Sequence, residues 1–282
     1  MFWKFTVIDA GETENTLVDM LLEQVRILGN TSIYVVRDLG GMGVYLFHIL
    51  HGCLKRPFRF RETLRQTSFI GFGSLFVICC TALTTGMVLG LQGYYSLHKF
   101  GAQGMLGSAV ALSLILELGP VLTALMVTGR AGSSMCAELG IMRNTEQIDA
   151  LECMAVDPFR YLISPKFIAT LISVPLLTAI FDVVGIAGGY LAGVTLMGVD
   201  SGSYVEGMRA SVTNHDISVG VVKSFVFAVL VIWICTGRGY FVQQIRGAGF
   251  GAESVSRMTT QAVVLSSIAV LVFDYLLTAV LL

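Results

Sequence analysis

Four ionisable side chains interrupt otherwise apolar stretches of the sequence: Glu117, Asp182, Lys223 and Asp274. A charge at the centre of a membrane span costs roughly 2.5–3.5 kcal/mol on insertion scales, so each is expected to face protein or a water-filled cavity rather than lipid. Glu117 sits roughly 12 residues, or about 18 Å, into its apolar run, just before Gly119 and Pro120. Proline withholds a backbone donor from the preceding turn, which leaves a polar weak point beside the carboxyl. Two readings of Glu117 stay open: a polar contact inside a substrate cavity, or a neutral carboxyl hydrogen-bonded to a neighbouring helix. For Asp182 and Asp274, helix-to-helix hydrogen bonding is the simpler expectation. Lys223 lies toward the outer end of its apolar run, from which its long stem can carry the ammonium to the lipid headgroups.

Catalytic chemistry finds little support. No nucleophile–base pair or metal constellation stands out. No G-x4-GK[ST] phosphate loop occurs, so ATP is not expected to bind by that route. The six cysteines include no CxxC pair, and Cys79 and Cys80 lie in an apolar run, where a thiol acts as a small hydrophobe. Neither a disulfide framework nor a thiolate metal site is expected. His48, His51 and Cys53 fall close together, but they read as polar residues at a membrane-surface helix end rather than as metal ligands.

Membrane helices must position these side chains. Of 282 residues, 55% are hydrophobic and only 13% charged, about half the charged fraction of an ordinary soluble domain. So many apolar side chains cannot all be hidden in one water-soluble core of this size. Between Arg65 and Lys99 there is no Asp, Glu, Lys or Arg, a stretch longer than the roughly 20 apolar residues that a span needs. The fold class is therefore an all-α polytopic membrane protein. A net charge of -1 offers no basic excess for nucleic-acid phosphates.

Residues 1–32 read as a polar leader, with at most a weak helix over 16–28. Residues 33–66 read as an interfacial amphipathic helix and a basic elbow: Ile33, Val36, Leu39, Val44, Leu46, Phe47 and Leu50 mix with glycines and both charge signs, ahead of Lys55, Arg56, Arg59, Arg61 and Arg65. Such cations can meet anionic headgroups. No basic segment followed by an apolar core precedes residue 30, so targeting is expected to rest on the first span. Five spans are expected over 68–97, 105–128, 163–197, 217–237 and 260–282, the third tilted or bent at Pro175. With the N-terminus inside, cytoplasmic segments hold about 15 of the 18 Lys and Arg residues. That asymmetry places the 129–162 and 238–259 loops in the cytoplasm and the C-terminus outside.

Gly185, Gly189 and Gly193 recur at four-residue spacing, and Gly86 and Gly90 form another such pair. Faces stripped of side chains allow close helix approach, within one subunit or across a dimer seam. Thr145 to Val156 reads as a short amphipathic helix, with Ile148, Leu151, Met154 and Ala155 on one face and Glu146, Asp149 and Glu152 on the other, bounded by Pro158. A cytoplasmic helix joined to two spans is a sensible lever for a partner to push, although an ordinary solvated helix would show the same pattern.

Beyond about residue 40 the chain resembles the MlaE-type permeases of bacterial lipid transporters. The likeness is densest in GMVLGLQGY (Gly86 to Tyr94), ALSLILELGPVLTAL (Ala111 to Leu125), GRAGSSMCAELGIMRNTEQIDALECMAVDP (Gly129 to Pro158), DSGSY (Asp200 to Tyr204) and RMTTQAVVLSSIAVL (Arg257 to Leu271). The resemblance implies an ABC-transporter permease over residues 67–282: a homodimer of five-span subunits, each preceded by an interfacial helix, in the bacterial inner membrane. It implies a separate cytoplasmic ATPase that carries the ATP and magnesium, a STAS-domain protein, a periplasmic MCE-domain protein, and glycerophospholipid as cargo. No cofactor is expected on this chain. The family's coupling helix maps onto Thr145 to Asp157, giving Glu146, Asp149, Leu151, Glu152, Met154 and Asp157 as coupling residues. Its lipid cavity maps onto Leu89, Gln92, Tyr95, Leu97 and Glu117. Some relatives carry Arg immediately before that glutamate. Here the position is Leu116, which argues against a headgroup clamp there and for a neutral Glu117. The rival reading is an ion-coupled secondary transporter with Glu117, Asp182 and Asp274 as a proton path.

Overall fold

The computed structural model of the chain describes residues 10–54, 59–242 and 251–281. The described residues form eight helices and no strand. They are α1 (Ala10–Leu54), α2 (Phe60–His98), α3 (Gln103–Asn144), α4 (Gln147–Cys153), α5 (Phe159–Leu196), α6 (Ser201–Ser211), α7 (Asn214–Tyr240) and α8 (Ala252–Leu281). Helices α2, α3, α5, α7 and α8 are each long and apolar enough to cross a membrane. The five expected spans are all present.

Most of their ends lie further out than hydropathy suggests. The second span does not stop at 128 but continues as one helix to Asn144, so the expected loop from 129 begins as helix. Apolar content falls there, yet no proline interrupts 121–157 and the backbone bonds simply continue. Helix α8 likewise starts at Ala252 rather than 260. Part of the Gly-rich stretch 237–251, together with Lys55 and Arg56, lies outside the described residues.

The chain divides into two compact units, Met1–Phe47 and His48–Leu282. In the first, α1 runs unbroken through the expected boundary at 32/33. Its sequence holds no proline, and a Cβ added at Gly40, Gly41 or Gly43 would meet nothing, so neither breaker chemistry nor packing ends the helix there. Ile33, Val36, Leu39 and Phe47 stand exposed along it.

In the second unit the most extensive interhelical contact joins α2 and α5. The glycine stripes make this seam within one chain. A Cβ on Gly86 would collide with the Gly185 carbonyl, and one on Gly90 would come within 2.8 Å of the Gly189 carbonyl. Lipid tails are as apolar as leucine, so close van der Waals approach rather than hydrophobic burial holds such a pair together. Pro165 falls in the first turn of the regular helix of α5, where its missing N–H costs nothing, and Pro175 lies inside it. Helix α7 is the most enclosed of the spans and α8 the least.

The short helix α6 is a feature that hydropathy does not announce. Asp200 caps it, accepting from the Ser203 N–H at 2.8 Å and the Ser203 hydroxyl at 3.0 Å. Those bonds hold its carboxyl below the ordinary aspartate value. Tyr204 is buried, donates to the Ile186 carbonyl at 3.2 Å, and meets Tyr190 edge to face. Ser108 ties α3 to α6 by donating to the Gly207 carbonyl at 2.8 Å.

Candidate functional site

Three spans converge on one buried ammonium. Lys223 Nζ of α7 lies 2.7 Å from Thr278 Oγ1, 2.8 Å from the Leu116 carbonyl, 2.9 Å from Glu117 Oε2 and 3.1 Å from Asp274 Oδ1. Thr278 Oγ1 lies 3.1 Å from Glu117 Oε1, closing the ring. The Lys223 side chain is fully enclosed, whereas Glu117 is 38% exposed and Asp274 19%. Lys223 therefore does not snorkel, contrary to its reading from sequence. An ammonium with three N–H donors finds oxygens from α3 and α8 closer than any headgroup.

The backbone of α3 makes one of those oxygens available. Pro120 has no N–H and cannot close the ordinary bond back onto the Leu116 carbonyl. The helix widens to a π turn over Leu114–Leu118 immediately before it, a local form that recurs at functional positions. The polar weak point expected near Glu117 is real, and Lys223 occupies it. It also supplies the cation that position 116 lacks, so Glu117 has a counter-ion despite Leu116.

Asp182 stands apart. Its Oδ1 is buried without a hydrogen-bond partner among the described residues, beside Gly119, where a Cβ would collide with it. A cleft of about 210 Å³ between α3, α5 and α7 includes Asp182, Thr178, Ile115 and Gly220 in its wall. No hydrogen bond links Asp182 to the Lys223 ring, so the helix-to-helix bond expected for it is not seen, whereas Asp274 does bond across helices.

The other expected cavity residues are on α2. Leu89 and Leu97 are half-buried and Gln92 and Tyr95 exposed. Among the described residues no hydrogen bond or ion pair joins them to Glu117. The structure brings Glu117 together with Lys223, Asp274 and Thr278, and leaves the α2 group, half-buried or exposed, without a bond to that ring.

Helix α4 is shorter than expected. Glu146 (φ 57°) and Ala155 (φ 58°) take the left-handed conformation on either side of it, which stops helical propagation at both ends. Ile148 is buried and Leu151 half-buried, while Glu146, Glu152, Met154 and Ala155 are exposed. Asp149 pairs with Arg143 at 2.6 Å, and the Arg143 guanidinium lies 5.4 Å from the Tyr240 ring centroid. Tyr240 Oη is 3.5 Å from Glu152 Oε1. Asp157 accepts from the Phe159 N–H at 3.0 Å in the turn just before α5. The short helix is thus bolted to the C-terminal ends of α3 and α7.

Two further polar anchors escape a sequence reading. Arg130, in the π turn Thr128–Gly132, donates to the Phe69 carbonyl at 2.7 Å and lies 3.1 Å from Ser74 Oγ, filling the space left by Gly73. Buried Lys166 pairs with Glu138. The adjacent Gly73 and Ser74 are the only sequence trace of the first. His48 stacks on Phe159 at 5.2 Å, and burial holds the half-buried Cys53 thiol above its ordinary value. Among the described residues no group of three or more His, Cys, Asp or Glu could hold a metal ion.

Five long apolar helices with no strand among the described residues, three of them joined by a buried lysine–carboxylate ring, define an all-α polytopic membrane protein. The chain belongs to the Permease MlaE family, whose model matches residues 63–280. It is 44% identical over 262 residues to the intermembrane phospholipid transport system permease protein MlaE of Haemophilus influenzae, covering 93% of this chain and 98% of that one. A probable ABC transporter permease protein of Rickettsia bellii is 39% identical over 92% of this chain and 98% of its own length. The chloroplastic protein TRIGALACTOSYLDIACYLGLYCEROL 1 of Arabidopsis thaliana is 32% identical over 95% of this chain and 74% of its own.

Proposed function

We propose that this chain is the membrane permease of an ATP-driven ABC transporter that moves phospholipid between the inner and outer membranes. The supporting observation is 44% identity along almost the full length of a relative named for intermembrane phospholipid transport. On this reading two copies enclose a lipid cavity at their interface, lined by Leu89, Gln92, Tyr95 and Leu97 of α2 and by Glu117 of α3. The segment 33–66 lies along the inner face, the N-terminus is cytoplasmic and the C-terminus periplasmic.

Hydrolysis belongs to a separate chain that holds ATP and magnesium and presses on the 145–157 segment through Glu146, Asp149, Leu151, Glu152, Met154 and Asp157. STAS-domain and MCE-domain partners complete the assembly on its two sides. A push there can reshape the cavity because Arg143 of α3 and Tyr240 of α7 hold α4. Lipid moves only if the two cavity shapes bind it unequally. An ion-coupled path is disfavoured, because Asp182 makes no hydrogen bond toward Glu117 or Asp274.

Gentle solubilisation of the native membrane followed by affinity capture of this chain tests the assembly. Two copies of the permease with two of an ATPase are expected. Recovery of a lone monomer, with no nucleotide-hydrolysing companion, contradicts the proposal.

A further inference from the structure

One face of α2 carries a stripe that neither the lysine ring nor α4 uses. Arg61, Arg65, Ser68, Phe72 and Phe76 fall there at helical spacing, and all five are exposed. They extend over about 22 Å at 1.5 Å per residue. Ile70, Ser74 and Ile78 are buried on another side of the helix.

At the basic end, Arg59, Phe60, Arg61, Glu62 and Arg65 line an open cavity of about 790 Å³. Arg59 is held in place, its guanidinium 3.9 Å from the Tyr161 ring centroid and donating to the Tyr161 carbonyl at 3.1 Å. Glu62 accepts from Gln66 at 3.2 Å. Among the described residues no carboxylate pairs with Arg61 or Arg65, and no hydrogen bond engages the Ser68 hydroxyl.

We infer that this stripe seats one anionic phospholipid, its phosphate at Arg61 and Arg65 and its acyl chains along Phe72 and Phe76. Three guanidinium groups against one carboxylate leave the cavity cationic, and guanidinium forks match phosphate oxygens bidentately. Below them the stripe turns wholly apolar after a single hydroxyl, the same order of chemistry that a phospholipid presents from headgroup to tails. A free phosphate would use the arginines but not the two phenylalanines. The stripe also occupies a different face of α2 from Gln92 and Tyr95, so its lipid is a resident rather than cargo. The inference needs no ATPase and no transport, and its failure leaves the proposed function untouched.

The test is native mass spectrometry of the full chain in detergent with equimolar phosphatidylglycerol and phosphatidylcholine. The wild type retains phosphatidylglycerol in about thirtyfold preference, as two surface cations predict, and millimolar inorganic phosphate does not displace it. The R61Q/R65Q variant loses the preference, and F72A/F76A lowers retention of both lipids. Equal retention by the wild type, a preference that survives R61Q/R65Q, or retention unchanged in F72A/F76A overturns the inference. So does displacement by inorganic phosphate, which marks a free-anion site. Loss of a co-purifying protein from R61Q/R65Q with lipid retention unchanged marks a protein-docking patch, and overturns it too.

Discussion

Lys223 of α7 lies 2.9 Å from Glu117 of α3, the lysine wholly enclosed and the glutamate 38% exposed. One partner is thus structural and the other faces outward. The enclosed ammonium fixes the carboxylate at the π turn, and Asp274 and Thr278 bring α8 to the same point. Helix α8 is otherwise the least buried of the spans, and this ring ties its C-terminal half to the bundle.

Removing the shared cation leaves two carboxylates facing each other without a counter-charge. Breaking a buried pair from one side costs about 3–5 kcal/mol, so Lys223→Met should lower the unfolding midpoint in detergent sharply. Glu117→Gln, at a partly exposed position that retains an acceptor, should cost about 1 kcal/mol or less. Glu117→Lys places two ammonium groups together and should resemble Lys223→Met. Unfolding followed by intrinsic fluorescence ranks the three. Equal loss of lipid transport in Glu117→Gln and Glu117→Lys would show that the carboxylate itself is required.

The α2–α5 seam predicts a steep contrast between glycines. Gly86→Leu must push the Gly185 backbone away, because even a Cβ collides with that carbonyl. It should abolish recovery of folded protein. Gly129→Ala meets nothing within 4 Å and should be neutral or stabilising by up to about 1 kcal/mol, the difference in helix propensity. Yield and thermal midpoint in detergent distinguish the two outcomes.

Much of this is legible in the sequence. Hydropathy alone finds the five spans, because lipid forces every backbone group into an internal hydrogen bond. It misses their ends, since α3 continues to Asn144 on backbone bonding after the apolar run has ended. Pro120 pointed to a freed carbonyl beside Glu117. What fills it was not legible: a lysine near the end of an apolar run ordinarily snorkels, and only the tertiary placement of Glu117, Asp274 and Thr278 explains why Lys223 turns inward. The Arg130 anchor was hidden for the same reason, since Gly73 and Ser74 are unremarkable until the facing helix is known.

The cap on α6 makes that helix sensitive to acid. Hydrogen bonds from Ser203 favour the ionised Asp200, so its pKa is lower folded than unfolded. Its stabilisation is complete above the unfolded aspartate value, about 4, and is lost as pH falls through the lowered folded value. Amide exchange across 201–211 should rise in that acid range for the wild type. Asp200→Asn keeps an acceptor but does not titrate, and should flatten the profile.

At α4 the acidic residues are not equivalent. Glu146 and Glu152 are exposed, whereas Asp149 already pairs with Arg143. Glu146→Lys with Glu152→Lys should weaken capture of the ATPase while insertion and fold persist. Asp149→Lys should additionally loosen α4 itself, read as faster proteolysis of 145–157. Undiminished complex formation in the double variant would rule out a docking role for those side chains.

Proteoliposomes that hold the permease with its ATPase, loaded with fluorescent phospholipid and given an acceptor membrane, decide whether a second chain drives this helical subunit. Lipid transfer should require ATP, stop when the ATPase is inactivated, and ignore dissipation of the proton gradient. Transfer that continues without any ATPase and collapses with the gradient would contradict the proposed mechanism.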